Sequence, residues 1–596
     1  MKLKNLLMIV FPSLLFSQST FPYERSWATY FGGFETRING VYENPSDQTL
    51  LIDGYTSKAT YGTGDLSAYY SQFVSAGSYP MNSNGSTLLG KFSQSGNLLS
   101  AQYHPLISSL AITRYLVYRD QFGNQYKIGG PAPLNSPVLP PGVWLSTRVT
   151  DNDWVLAKYD ENNNLIWETY LPGTIYSDNL DVDSNGNIYI TGTTSWQGLG
   201  DPGTFRPDFE IVSQGGALKP NSFIVKLNAQ GKKIWGTYVP SLYITAQDLY
   251  EDNLFIVGGN DLNDAVTALA TPETFQEVKS SHFIAKFDGN TGQRVWGTYY
   301  GVPNVLTGAG IWQIKANSSG VYIGGQTFYL PGSYYATPGA HKQQTTDGFD
   351  LFLAKFNDNG YRIWGTYVGS EGTEWHGENR VLDLKDDKLL ITGSSSGTEN
   401  IATPGAFIST KPNPGYPDAF FSMFNTAGTH LFTSYYGGTF TSDPATDSQI
   451  GGQFSHSSDV FYIFGSSGNP NDIATANSHQ PNIIPPPGTT IGRTGFIAKF
   501  SLASLSTSEA APAKDLVLYN NPSDGNFSLK GTVLSKESHI INITDMSGRQ
   551  IYSSPISKTA EQHFRLADQL ANGNYLISVS KTDKTPVKSF KLTIKK

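Results

Sequence analysis

The densest group of reactive side chains is Glu371-Gly372-Thr373-Glu374-Trp375-His376-Gly377-Glu378. Glu374, His376 and Glu378 are of the types that do general acid and base work, and an aromatic such as Trp375 could stack on a sugar ring. The same stretch also reads as a polar surface loop. Seven of the ten tryptophans lie on predicted strands, which leaves Trp144, Trp196 and Trp375 in connections as candidate ligand-binding residues. Asp181-Val182-Asp183-Ser184-Asn185-Gly186 opens like a calcium loop, but Gly192 stands where the bidentate glutamate is needed. A plain turn is expected there, and no metal site is assigned. Lys91, Lys158, Lys226, Lys286, Lys355 and Lys499 recur at one strand position, which marks them as architectural, since a catalytic lysine would be singular. The chain has no cysteine, so disulfides and thiolate chemistry are excluded. It shows no serine elbow, phosphate loop or HExxH, and no cofactor is expected.

The elements that must position these residues are announced by a repeated phrase. Trp27-Ala28-Thr29-Tyr30 returns at Trp167, Trp235, Trp296 and Trp364, with degenerate copies at Ser100-Ala101-Gln102-Tyr103 and Phe432-Thr433-Ser434-Tyr435. The interval is about 61 to 73 residues, which implies an array whose units bury their faces against one another. Between Ile311 and Val368 the pattern gives four short strands divided by Gly- and Asn-rich turns, the content of one propeller blade. A third-strand phrase, such as Leu351-Phe352-Leu353-Ala354-Lys355-Phe356, also occurs seven times. The first Trp phrase has no third strand before it, and the last third strand has no Trp phrase after it. Pairing Trp27–Tyr30 with Phe496–Phe500 closes the ring without leaving an open edge. An all-β, seven-bladed β-propeller over residues 24–503 is therefore expected. Its second-to-third connections are long, and that face is the expected place for binding.

These phrases resemble the beta-propeller repeat family of large exported bacterial proteins, a resemblance that implies the fold and says little about activity. After an Ala- and Ser-rich linker at 504–514, residues 515–596 read as a small immunoglobulin-like β-sandwich. Asn521-Pro522 with Gly525 and Phe527, Asp545 with Gly548-Arg549, and Gly573-Asn574-Tyr575 closely resemble the type A C-terminal sorting domain of the type IX secretion system. That resemblance implies the secretion machinery as partner. Lys2 and Lys4 before the apolar Leu6–Phe16 have the pattern of a signal peptide, 1–17, too short to span a membrane. A secreted protein, or one on the outer-membrane surface of a Gram-negative bacterium, is expected. With a net charge of −8 and no basic arm, a nucleic-acid partner is not. The function expected is non-catalytic binding of a glycan or protein on the long-loop face. The alternative is a carbohydrate-active hydrolase or lyase on that face.

Overall fold

A computed structural model describes residues 21–596 apart from 58–65, 82–84, 104–114, 176–178, 210–212, 215–216, 219–220, 261–268, 306–308, 329–331, 346–348, 378–379, 415, 439–448, 489–492, 504–514, 546–549 and 583–585. The expected signal peptide, the linker and the Gly548-Arg549 hairpin tip therefore lie outside the described residues. The chain divides into two compact units, Met1–Ser501 and Leu502–Lys596.

In the first unit the described strands form seven antiparallel sheets of the repeat, numbered in chain order: sheet 1 within 36–103, sheet 2 within 115–171, sheet 3 within 180–239, sheet 4 within 243–299, sheet 5 within 309–368, sheet 6 within 374–436 and sheet 7 within 449–502. Sheet 5 is typical: Ala309–Asn317, Gly320–Thr327, Leu351–Phe356 and Arg362–Val368 pair in sequence order. Sheet 7 is composite. Its first three strands are Gln449–Phe454, Val460–Ser467 and Thr494–Leu502, and its fourth is the N-terminal Tyr23–Phe31. Ser26 Oγ lies 2.5 Å from Ser501 Oγ across that pairing. The first strand of sheet 1, Thr36–Glu43, packs against sheet 7, so the array is a closed ring. Sheet 6 departs from the pattern because its first strand is split into Glu374–His376 and Leu382–Lys385, both paired with Lys388–Ser395.

The repeat phrase works as a clasp between neighbouring sheets. The indole N–H groups of Trp27, Trp167, Trp235, Trp296 and Trp364 donate to carbonyls of Gln94, Ala229, Gly289, Asp358 and Thr426, at 2.7–3.2 Å. Each acceptor lies in the third-to-fourth turn of the following sheet. The ring then rests on a turn glycine. At Gly360, with φ +79°, an added Cβ would come within 2.9 Å of Trp296. Gly96, Gly231, Gly292 and Gly428 do the same for the other four. The recurrent lysines serve this joint too: Lys226, Lys355 and Lys499 donate to the same carbonyl oxygens as Trp235, Trp364 and Trp27.

The clasp also explains the two degenerate phrases. Ser100 replaces tryptophan where the next turn carries Asn163, φ +65°, in the glycine position. Phe432 replaces it where the next sheet has no third-to-fourth turn, because its fourth strand comes from the N-terminus.

Threonine and tyrosine of the phrase hold the long connections. The Oγ of Thr29, Thr169, Thr237, Thr298, Thr366 and Ser434 accepts N–H from Gln480, Leu145, Arg206, Gln276, Lys342 and Ile408. The following tyrosine N–H donates to the carbonyl of the same residue in each case. Those stretches of the second-to-third connections are therefore laid along the fourth strand of their own sheet, where they satisfy its outer edge.

The second unit holds a three-stranded sheet, Val517–Tyr519, Asn526–Lys530 and Glu561–Arg565, and a four-stranded sheet in the order Gln550–Ile556, His539–Asp545, Gly573–Lys581, Pro586–Ile594. Phe527, Leu529, Ile541, Ile543, Ile577 and Leu592 fill its core. Asn521 ties the Asn-Pro turn to the last strand: its Nδ2 donates to Lys591 O at 2.7 Å and its Oδ1 accepts from Thr593 N at 2.8 Å.

Candidate functional site

Closing seven sheets into a ring turns seven first strands towards one axis. Their C-terminal halves and the turns that follow line a chamber of about 660 Å³, to which every sheet contributes. The register repeats from sheet to sheet. Equivalent residues of the seven second strands, Leu51, Tyr126, Tyr189, Phe255, Tyr322, Leu390 and Tyr462, are paired with Tyr42, Tyr118, Asp181, Asp248, Lys315, Asp383 and Gln453 in turn. One level of the ring thus carries three carboxylates, one ammonium, two phenols and an amide.

Lys315 Nζ is 3.1 Å from Asp248 Oδ1, and Ala316 N donates to Asp248 Oδ2 at 2.7 Å. Burial opposes the charge on Lys315, but Asp248, Asp383 and Asp181 hold its ammonium above the ordinary lysine value. Asp181 Oδ2 accepts from Gln247 Nε2 at 2.9 Å, and Asp383 Oδ2 accepts from Phe454 N at 2.7 Å. Near the mouth, burial works against ionisation of Glu43. Hydroxyls of Ser455 and Ser457 and the Ser457 N–H win, and hold its carboxyl below the ordinary range. The guanidinium of Arg380 sits 4.7 Å over the Tyr42 ring and donates to its hydroxyl, while Arg119 lies 5.8 Å from the same ring. Of the glutamines that line this wall, Gln247 and Gln453 each have their Oε1 buried beneath it with no protein partner. A buried amide oxygen without a donor costs about 1–3 kcal/mol.

The residues singled out in the sequence lie elsewhere. Trp144 and Trp196 are half-buried, 6.3 Å apart between ring centroids, against the apolar cluster shared by sheets 2 and 3. Trp375 is 39% exposed on the first segment of the split strand of sheet 6, so it belongs to a strand, not a connection. His376, the next residue, lies 4.5 Å from Trp312 of sheet 5. Glu378 lies outside the described residues. The structure therefore brings Trp144 to Trp196 and places Trp375 with His376 in another sheet.

Glu374 is 0% exposed. Its Oε1 accepts from Ser370 Oγ at 2.8 Å and Ser395 Oγ at 2.7 Å, beneath the Asp350 carboxylate, which pairs with Lys342 at 2.6 Å. Burial, helped by the charge of Asp350 and resisted by the two serines, pushes the Glu374 carboxyl up to about 8. A group so placed cannot reach a substrate without rearrangement, but it makes stability pH-dependent. The unfolded chain loses this proton near 4.5 while the folded chain keeps it to about 8, so stability falls as pH rises through that window. Glu374→Gln should flatten the decline in melting temperature between pH 5 and 8. An unchanged slope would show that Glu374 ionises normally.

Asp183, of the loop that opens like a calcium site, instead caps its own turn. Its Oδ1 accepts N–H from Asn185 and Asn187, and Lys226 Nζ lies 3.8 Å from its Oδ2.

Residues 517–595 match the Secretion system C-terminal sorting domain family, and residues 170–196 match the Beta-propeller repeat family. No curated protein matches the chain. Among solved structures it is similar to a polysaccharide lyase of family PL25, an ulvan lyase bound to -[GlcA(1-4)Rha3S]-, at 9% identity over 73% of this chain and 92% of that one, TM-score 0.35. It is similar also to the phage phi92 endosialidase, at 10% identity over 96% and 87%, TM-score 0.31. A subtype N11 neuraminidase-like protein of A/flat-faced bat/Peru/033/2010 follows at 10% over 81% and 93%, TM-score 0.30. Likeness at this level assigns no reaction or ligand. The sorting domain marks the chain as cargo of the type IX secretion system, and the chain is a propeller bound for secretion or the cell surface. No described helix is long and apolar enough to cross a membrane.

Proposed function

For this propeller with a secretion sorting domain, we propose that the exported protein works by binding, and that its ligand seats in the axial chamber. The observation that carries this reading is the chamber wall itself, a concave polar surface to which all seven sheets contribute. Pockets of this size suit small ligands or the end of a larger one. The expected glycan or protein partner then enters at the short-turn end of the first strands, away from Trp144, Trp196 and Trp375. Catalysis has less support, because Glu374 is enclosed and the chamber carboxylates Glu43, Asp181 and Asp383 each already accept a hydrogen bond.

The test is equilibrium binding to a glycan and surface-protein panel, with product release measured alongside. His456 lies exposed on the chamber rim, and His456→Trp should abolish binding by covering the mouth while leaving thermal unfolding unchanged. Release of product from any polysaccharide, or binding indifferent to this substitution, would overturn the reading.

Export is tested separately. Each unit has its own core, so deleting 515–596 should leave the propeller folded and stranded in the periplasm. Surface delivery of the truncated chain, followed by fractionation and protease accessibility, would remove the role given to the sorting domain.

A further inference from the structure

We propose that Glu374 and Asp350 share a single proton, and that its loss releases the strand Glu374–His376 from sheet 5, so that the joint between sheets 5 and 6 is a latch held shut by acid. The latch is independent of the chamber and of what the chamber binds.

Both carboxyls are enclosed, at 0% exposure. They face one another across the space left open by Gly369, φ +149°, where an added Cβ would collide with Glu374 Oε2 and press on Asp350 Oδ1. Glu374 Oε2 and Asp350 Oδ2 receive no hydrogen bond from the described residues. One ammonium stands against the pair, that of Lys342, 2.6 Å from Asp350 Oδ1. Two buried carboxylates on one ammonium would leave a net negative charge away from water, which costs far more than keeping one carboxyl protonated. A proton on Glu374 Oε2 removes that charge and turns the orphaned oxygen into a donor to Asp350.

The other neighbours supply no counter-charge. Lys411 and Asp418, both buried, pair with each other at 3.2 Å, and Lys411 also donates to Ser395 O. Burial holds the hydroxyls of Tyr367 and Tyr435 protonated, to about 12 in each case. On its own segment Glu371 is exposed, and His376 lies against Trp312.

Glu374 is also the tie across this end of the joint. Its N–H donates to Phe349 O at 2.7 Å and its carbonyl accepts from Gln326 Nε2 at 2.6 Å, both in sheet 5, while its side chain accepts from Ser395 Oγ of sheet 6. The strand it begins is three residues long, so its retention rests heavily on this one residue. In the closed joint the Glu374 proton is kept to about 8, whereas in a released, solvated strand it leaves near 4.5. The closed-state value is the raised one. Closure is therefore favoured most below about pH 4.5, loses that advantage as pH rises to about 8, and changes no further above it. The opening constant rises about tenfold for each pH unit across the window.

Hydrogen exchange of the full chain tests this. After correction for the intrinsic pH dependence of exchange, protection over residues 370–377 should fall about tenfold per pH unit between about pH 5 and 8. It should also stay below that of the central strand Leu351–Phe356, because the opening is local. Glu374→Gln, which has the shape of the protonated acid, should hold the strand shut at every pH. A flat wild-type profile, or protection equal to that of the central strand, overturns the proposal. So does a slope that survives in Glu374→Gln, which would belong to His376, an imidazole that titrates in the same range.

Sharing is tested through the partners. Asp350→Asn leaves Lys342 beside Glu374 alone, so the fall in protection should move to lower pH, and Lys342→Met should move it higher. An infrared absorption of a protonated carboxyl at pH 7, present in the wild type and missing from Glu374→Gln, reports the proton directly. If that absorption is absent from the wild type, or if both partner variants leave the window in place, no proton is shared and the proposal falls.

Discussion

A chain lacking residues 21–31 should fail to form a cooperatively folded propeller. Those residues supply the fourth strand of sheet 7, and without them Thr494–Leu502 becomes an open edge of the kind that pairs with other chains. Tyr23, Trp27, Ala28, Tyr30 and Phe31 are all buried, and Trp27 donates to the first sheet while Tyr30 donates to Asn469. Truncating one large buried aromatic costs about 3–5 kcal/mol, so losing several exceeds the ~5–15 kcal/mol that holds a typical domain together. Circular dichroism melting and gel filtration would show a broad or absent transition and aggregation. Grafting the same residues behind Leu502 through a short Gly-containing turn should restore the transition. A truncated chain that melts within a few degrees of the full one would show that the ring does not depend on this strand.

Trp296→Ala should be the most damaging single substitution of those considered, at about 3–5 kcal/mol. The indole is buried, it packs on Gly360 of the next sheet, and its N–H donates to Asp358 O at 2.7 Å. Alanine leaves both a cavity and an unpaired carbonyl at a joint between sheets 4 and 5. Trp375→Ala gives the contrast, since its ring is partly in water and covers little core. Chemical denaturation should separate the two clearly. Equal losses would mean that the clasp contributes no more than ordinary surface packing.

Those two tryptophans differ in sequence context as they do in consequence. Trp296 sits in a phrase whose partners recur at a fixed interval, so its burial is announced by its neighbours. The degenerate copies at Ser100 and Phe432 are informative only once the ring is closed, because the missing indole matches a missing glycine turn in one case and a missing turn in the other. Likewise the long connections look like free loops because the bonds that hold them are made by single backbone groups to Thr29, Thr169, Thr237, Thr298, Thr366 and Ser434. Nothing in the loop residues themselves signals that attachment.

What the sequence determined by itself is therefore what local, repeated chemistry can carry. Strand alternation, Gly and Asn turns and the recurring Trp phrase specify the sheets and their number in the repeat. The offset between first phrase and last strand specifies closure by Tyr23–Phe31. The Asn521-Pro522 and Gly573-Asn574-Tyr575 motifs specify the sorting domain, because its contacts form within about 80 residues. Only the tertiary structure decided the site. Asp181, Asp248, Lys315 and Asp383 stand one repeat apart, polar residues near a hairpin of which only Asp181 falls in a motif, the calcium-like opening. They become a charged chamber because ring closure turns equivalent positions of seven strands towards one axis. The Glu374 stretch shows the reverse: its reactive residues are adjacent in sequence, yet the alternation of a β-strand sends Glu374 into the interior and leaves Trp375 towards solvent.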